Sequence, residues 1–383
     1  MVSRQGQLPR GVPGRGGRRG RPRARLLAGA GLVGLAGLVG AESTAARPAR
    51  PAAWVGPSPA GSWARTTLTV QTTALTAEPG RPGVVVAGTA DGVWRSDDGG
   101  ARWTRAGAGL RGKEVDALAV APTDGALFAG GADGVVYELD AARAVWRRAG
   151  APLDANPIYS LAVSSGGRGT VLAGTVGALY RGVATGSGWR WRWRRVARTG
   201  DAAVTSIVWP ARGAQSALAS VFGVWPPILA TRDDGRTWRA ASAGLPSALP
   251  TQALLALAPR GSRGPRVILT TMGGGVWERS STGSGPWRDI GVGLPARHAM
   301  PLAALPGAVT TVLYVGTMGD GVYVKQGDAA WRPLGHGLTG ADNTILALGM
   351  ISRASGAPAA LLAGTARGVF RYVVARESAR RPR

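Results

Sequence analysis

Two carboxylates held about 6.5–9.5 Å apart are enough to hydrolyse a glycosidic bond with inversion. Asp91 and Asp133 stand one repeat apart and are the pair such a mechanism would use. Both, with Asp320, stand directly before a glycine: Gly92, Gly134 and Gly321. A recurring Asp-Gly pair is turn chemistry, because the carboxylate accepts nearby main-chain N–H groups and the glycine takes positive φ. The turn reading is therefore preferred for these acids. His298, beside Arg297 and near Met300, has the character of a contact residue. His336 fills a Gly-x-Gly-Leu slot that holds Ala108 and Val292 elsewhere, and reads as a surface substitution. Neither histidine has clustered acids beside it, so neither reads as a metal ligand. The chain has no cysteine, which excludes disulfides, thiolate metal sites and cysteine nucleophiles. No cofactor or metal site is expected.

Gly188 to Arg198 alternates Trp189, Trp191 and Trp193 with Arg190, Arg192 and Arg194. On a strand this makes one aromatic face and one cationic face. Packing of the tryptophans on a neighbouring sheet accounts for the pattern, and a surface for a protein or an anionic polymer at Arg190, Arg192 and Arg194 is the sharper alternative. The net charge of +25 is carried almost wholly by arginine, with lysine at Lys113 and Lys325. Charge of this size attracts anionic surfaces non-specifically, and no recognition motif accompanies it, so specific nucleic-acid binding is not expected.

The elements that position these residues follow from a repeat. Trp63, Trp103, Trp146, Trp193, Trp238, Trp287 and Trp331 recur at intervals of 40 to 49 residues. Between them run an alternating stretch such as Val115 to Ala121, a second ending in glycine such as Thr170 to Gly174, and a third opening Gly-Val-aromatic such as Gly92 to Trp94. Alternation, β-branched content and glycine-bounded turns point to strands of about four to seven residues. With 61 Gly, 26 Pro and 17% charged residues, an all-β chain of short strands is expected. Four strands per unit repeated at this period predict a seven-bladed β-propeller. The last set of strands, Thr344 to Val373, lacks a tryptophan strand, while Trp63 stands alone at the other end. The N-terminal strand is therefore expected to complete the C-terminal blade and close the ring.

Residues 1–41 read as a signal peptide. Eight arginines, Arg4 to Arg25, precede an uncharged run from Leu26 to Gly40, and Val39-Gly40-Ala41 offers small residues for cleavage. An uncleaved N-terminal membrane anchor is the competing reading, and would be the chain's route to a membrane. Residues 42–60 form an Ala/Pro/Arg-rich linker, 61–374 the propeller and 375–383 a basic tail. The expected location is extracytoplasmic: secreted, periplasmic or at the cell surface.

Two hairpins carry a resemblance. Thr231, Asp233, Gly235, Thr237 and Trp238 fit the Asp-box, Ser/Thr-x-Asp-x-Gly-x-Thr-Trp, and Ser96, Asp98, Gly100 and Trp103 fit it with Arg102 in the threonine place. The chain thus resembles the Asp-box propellers of the bacterial neuraminidase repeat (sortilin- and sialidase-like), and within them most resembles bacterial proteins similar to photosystem II stability and assembly factors. The resemblance implies that these box residues are structural and lie away from the ligand face. That face would be built by the segments entering each first strand and by the turns between second and third strands. Those segments hold Arg111, Lys113, Glu114, Asp154, Asp201, Arg297, His298 and Asp342, and the turns add Arg367. A sialidase would need an arginine triad, a Tyr nucleophile with its Glu, and an acidic Asp. No Arg-Ile-Pro motif is present, the tyrosines lie within strands, and Glu78, Glu138 and Glu278 fall at the wrong strand ends.

The expected function is a noncatalytic, monomeric propeller that binds a protein or scaffolds complex assembly. The alternative is a carbohydrate-active propeller, either a glycosidase or sialidase-like enzyme or a glycan-binding lectin.

Overall fold

The computed structural model describes residues 61–373 except 166–168, 187–189, 211–214, 224–225, 248, 259–263, 281–284, 296–297, 306–310 and 352–359. The expected signal peptide, linker and tail, together with Trp189 and Arg297, lie outside the described residues.

The chain is an all-β propeller of antiparallel sheets. Sheet I comprises Thr72–Ala77, Val85–Thr89, Gly92–Ser96 and Thr104–Arg105. Sheet II comprises Val115–Val120, Leu127–Gly131, Val136–Asp140 and Val145–Arg148. Sheet III has six strands: Ile158–Val163, Thr170–Ala184, Trp191–Val208, Ala217–Phe222, Ile228–Thr231 and Arg239–Ala240. Sheet IV comprises Thr251–Leu257, Arg266–Thr271, Gly275–Ser280 and Arg288–Asp289. Sheet V comprises Ala299–Ala304, Val312–Thr317, Val322–Gln326 and Arg332–Pro333. Sheet VI joins Ala347–Ile351, Ala360–Thr365 and Gly368–Val373 to Trp63–Arg65 from the other end of the described chain. Trp63 pairs with Tyr372 and Arg65 with Phe370, so the expected closure is present. The first strands pack side by side from sheet to sheet, and Ala347–Ile351 meets Thr72–Ala77 to complete the ring.

Six sheets stand where the sequence predicts seven separate blades. The difference arises at Thr170–Ala184 and Trp191–Val208, which run 15 and 18 residues against the expected four to seven. After Trp103, Trp287 and Trp331 the chain meets a Gly-x-Gly, at Gly107 and Gly109, Gly291 and Gly293, and Gly335 and Gly337, and bends out of the strand. After Trp193 the corresponding residues are Ala197 and Thr199. There the ladder passes from Ala178–Arg198 across an irregularity at residues 199–202, with Gly200 at φ of 65°, to Val176–Ala203.

Second strands are buried on both faces, as at Val85–Thr89 and Val312–Thr317, and supply the core between sheets. Between sheets V and VI that core gathers Tyr314, Val324, Leu348, Leu361 and Trp63.

The closing tryptophans are anchored in two ways. The indole N–H of Trp63 donates to the Leu334 carbonyl, Trp146 to Ala106, Trp193 to Ala149, Trp287 to Ala241 and Trp331 to Ile290. Each acceptor lies three residues past the previous closing tryptophan, so these bonds tie one unit to the next. Trp103 and Trp238 instead donate to Gly100 and Gly235 in their own hairpins. These two follow the units ending at Trp63 and Trp193, where neither glycine of the Gly-x-Gly is present. Glycine matters here through close approach: at Gly293, with φ of 97°, a Cβ would sit 2.6 Å from the Trp331 carbonyl oxygen.

Candidate functional site

The turns between second and third strands and the segments entering first strands meet at one end of the ring. Main-chain bonds join them: Gly92 N–H to Lys113 O at 2.7 Å, Ala132 N–H to Glu114 O at 3.1 Å, and Gly321 N–H to Asn343 O at 2.9 Å. These segments therefore meet, where described, at one end of the ring, and Asp91, Asp133, Asp154 and Asp342 are engaged in holding it together.

Asp91 accepts from Arg105 and from the Gly112 N–H at 2.7 Å. Those bonds hold its carboxyl below the usual carboxylate range, with the charge of exposed Arg111 adding to them. Asp133 accepts from Lys113 at 2.8 Å and from the Tyr137 hydroxyl at 2.7 Å. Burial would raise its pKa, but Lys113 and Tyr137 outweigh burial and lower it. The same contacts raise Lys113, through Asp133 first and Tyr137 second. Asp154 accepts from Thr175 and Tyr180, both at 3.0 Å, and from the Asn156 N–H at 2.8 Å. The Tyr180 hydroxyl is pushed up by burial and then by Asp154.

Asp342 is the most enclosed of these groups, with its side chain 2% exposed in a 3-10 turn, Gly340–Asn343. It accepts from Arg65 at 3.1 Å, from Thr365 at 2.9 Å and from both Nε and Nη2 of Arg367. Burial pushes its carboxyl up, and Arg367, Thr365 and Arg65 together override burial and hold it low. Arg65 belongs to the N-terminal strand, so this cluster also latches the ring.

Glu114 is half-buried, while Arg111, Asp201 and His298 are exposed. These four and exposed Asp320 are outward groups of this end among the described residues, and exposed Arg367 is held by Asp342. His298 bridges Met272 through its backbone, and exposed His336 bridges Ser62. Among the described residues no three His, Asp or Glu gather at metal-binding distance.

The two hairpins lie at the opposite end. Asp98 accepts from the Ser96 hydroxyl at 2.8 Å and from the Ala101 and Arg102 N–H groups, both at 3.0 Å. Asp233 accepts from the Thr237 hydroxyl at 2.6 Å, its N–H at 2.9 Å, the Thr231 hydroxyl at 2.7 Å and the Arg236 N–H at 3.0 Å. Those bonds, Thr237 first, hold the Asp233 carboxyl far below its usual range. Ser96 and Thr231 in turn accept the Gly100 and Gly235 N–H groups.

Arg190, Arg192 and Arg194 are exposed, and Trp191 and Trp193 pack against sheet II. The Trp191 indole donates to Glu138 at 2.8 Å and its ring meets Phe128 edge-on at 5.4 Å. Burial raises the Glu138 pKa, and the Trp191 N–H opposes that rise.

Two cations were not singled out by sequence. Arg279 stands opposite Val267 and Lys325 opposite Leu313, in the slot where Ser96 stands opposite Val85 and Thr231 opposite Ala217. The signal was a basic residue in a slot that holds a small hydroxyl in both intact hairpins.

No protein-family profile matches the chain, and no curated protein does. Solved structures do. The GH74 xyloglucanase from Xanthomonas campestris matches with a TM-score of 0.61 at 21% identity over 81% of this chain and 53% of its own. The extracellular domain of the hybrid two component system BT4673 from B. thetaiotaomicron matches with a TM-score of 0.60 at 15% identity over 83% and 40%. YCF48 bound to D1 peptide matches with a TM-score of 0.54 at 13% identity over 84% and 97%. The chain spans about half the length of the first of these and less of the second. Likeness at these identities establishes the β-propeller fold.

Proposed function

We propose that this chain is an exported, noncatalytic propeller that binds another protein as a scaffold or assembly factor. The observation that carries the reading is the engagement of the ligand-face carboxylates. An inverting glycosidase needs one carboxyl with a raised pKa to act as acid and a second one free to activate water. Asp91, Asp133 and Asp342 are all held low by cations and hydrogen bonds. The acid that burial raises, Glu138, is bonded to the Trp191 indole away from this face. The outward groups Arg111, Asp201, His298 and Asp320 suit polar contacts with a folded partner. YCF48, captured with a D1 peptide, is a propeller of nearly the same extent and lends the reading support.

Sheet III is best counted as two blades, giving seven. It carries two of the seven closing tryptophans, Trp193 and Trp238, and one cross-ladder pair, Val176 with Ala203, joins its halves. The hairpins at Asp98 and Asp233 are best read as Asp-boxes. The basic and apolar residues 1–41 favour export by a signal peptide or retention on an anchor.

The second reading, carbohydrate binding or hydrolysis, draws on the GH74 neighbour. A panel of plant and bacterial glycans, assayed for sugar release and for binding, separates the two. No release and no binding is expected. Turnover that Asp133→Asn abolishes would establish the second reading.

A further inference from the structure

Arg279 sits at the end of the third strand of sheet IV. Its Nη1 donates to the Ala241 carbonyl at 2.9 Å, its guanidinium lies 5.3 Å from the Trp287 ring centroid, and its Nε is buried without a hydrogen-bond partner. Glu278, its neighbour in sequence, pairs with Arg266 and Arg288 instead. Two other part-buried third-strand arginines are matched by carboxylates: Arg95 with Glu78 and Asp97, and Arg181 with Asp234. Arg279 has no carboxylate among the described residues. Taking a cation out of water without a counter-charge is costly, and the like charge of Arg232 adds to the cost.

The space in front of Arg279 is a groove of about 910 Å³ along the flank between sheets III and IV. It follows the strand Ile228–Thr231 and its hairpin, and Arg232 and Arg239 also line it. Both are exposed and form no ion pair among the described residues. Asp233 is the acid in the lining, and its oxygens are turned into its own hairpin by Thr231, Arg236 and Thr237. Between the cations the walls are apolar, at Ala230, Ala240 and Ala241.

We propose that this groove docks an acidic, extended peptide segment of a partner protein, its carboxylates meeting Arg279, Arg232 and Arg239. The apolar walls between the cations and the strand-parallel course favour a peptide backbone with small side chains over a hydrated polysaccharide. Carboxylate–guanidinium pairing is strong and geometrically specific, so the site supplies both affinity and register. The inference rests on the protein-binding reading above and names the partner's chemistry.

The test uses a fluorescein-labelled peptide of alternating glutamate and alanine, with its lysine counterpart and a heparin oligosaccharide as controls. Anisotropy at low salt is expected to give binding of the glutamate peptide alone. Arg279→Gln should weaken it about tenfold, whereas Arg190→Gln, an identical change in net charge, should weaken it less than about twofold. Melting temperatures of both variants should match the wild type. Because the chain has no cysteine, Ala240→Cys provides a single thiol, and the peptide should slow its labelling. Equal weakening by Arg190→Gln, unprotected labelling, or heparin binding in place of the peptide would each overturn the proposal. So would capture of a cellular partner equally well by Arg279→Gln, a result that leaves the protein-binding reading standing.

Discussion

The Trp63 indole donates to the Leu334 carbonyl at 2.9 Å, joining residues 271 positions apart and fastening the last unit of the ring to the one before it. Trp63 is buried to 5% exposure and stacks obliquely on Tyr372 at 5.2 Å. Trp63→Ala is expected to destabilise the protein by about 3–5 kcal/mol, the range for a buried aromatic. Trp63→Phe, which keeps a ring and loses the N–H bond, should cost roughly 1 kcal/mol for the bond and more for the lost volume. Urea unfolding of the two variants measures both.

Asp342 gives the same closure a pH dependence. Its folded pKa lies below the ordinary 3.8, so the stability it contributes is present above that value and fades as pH falls through the folded pKa. Asp342→Asn should therefore lower the melting temperature at neutral pH, by the equivalent of about 1–3 kcal/mol. Its melting curve should converge on that of the wild type below about pH 3. A gap that persisted into acid would remove the carboxylate from the latch.

Asp98→Ala loses three hydrogen bonds at an exposed hairpin and should cost roughly 1 kcal/mol after allowance for solvent. Partner binding should be unaffected, since the Asp98 hairpin belongs to sheet I, away from the groove between sheets III and IV and opposite the end of the ring proposed to meet the partner. Thermal melts paired with a binding assay check both halves.

Pro152 sets up a further measurement. Gly293 and Gly337 let the next closing tryptophan approach, and the Trp331 and Trp63 N–H groups reach Val292 and His336, both at 2.9 Å. Proline stands in that place before Trp193, cannot take positive φ, and no such main-chain bond forms there among the described residues. The Trp193 amide should exchange at least about tenfold faster than that of Trp331, read by hydrogen exchange.

The tryptophan period and the unpaired strand at Trp63 carried the architecture, because they record burial and edge-pairing that every unit needs. The merger of two strands at Trp191–Val208 was not legible as such. The run Val196-Ala197-Arg198-Thr199 and then Gly200-Asp201 reads as a strand followed by a turn, whereas the ladder continues through it with a register shift. At that end of the ring, sequence grouped segments that do meet, but could not tell an outward acid such as Asp201 from an engaged one such as Asp342. That distinction depends on Arg65 and Arg367, distant in sequence from Asp342. Arg279 carries no motif signal, because its slot is defined by the hairpins that hold a hydroxyl there, at Ser96 and Thr231.

Whether the chain works by holding a partner is tested most directly by affinity capture from an envelope fraction. The bait is the purified protein, compared with an Arg111→Glu/His298→Ala variant of equal melting temperature. One protein retained at about equimolar amount by the wild type, and markedly less by the variant, is the expected result. Retention of nothing at that level, together with sugar release from a polysaccharide by the same preparation, would contradict it.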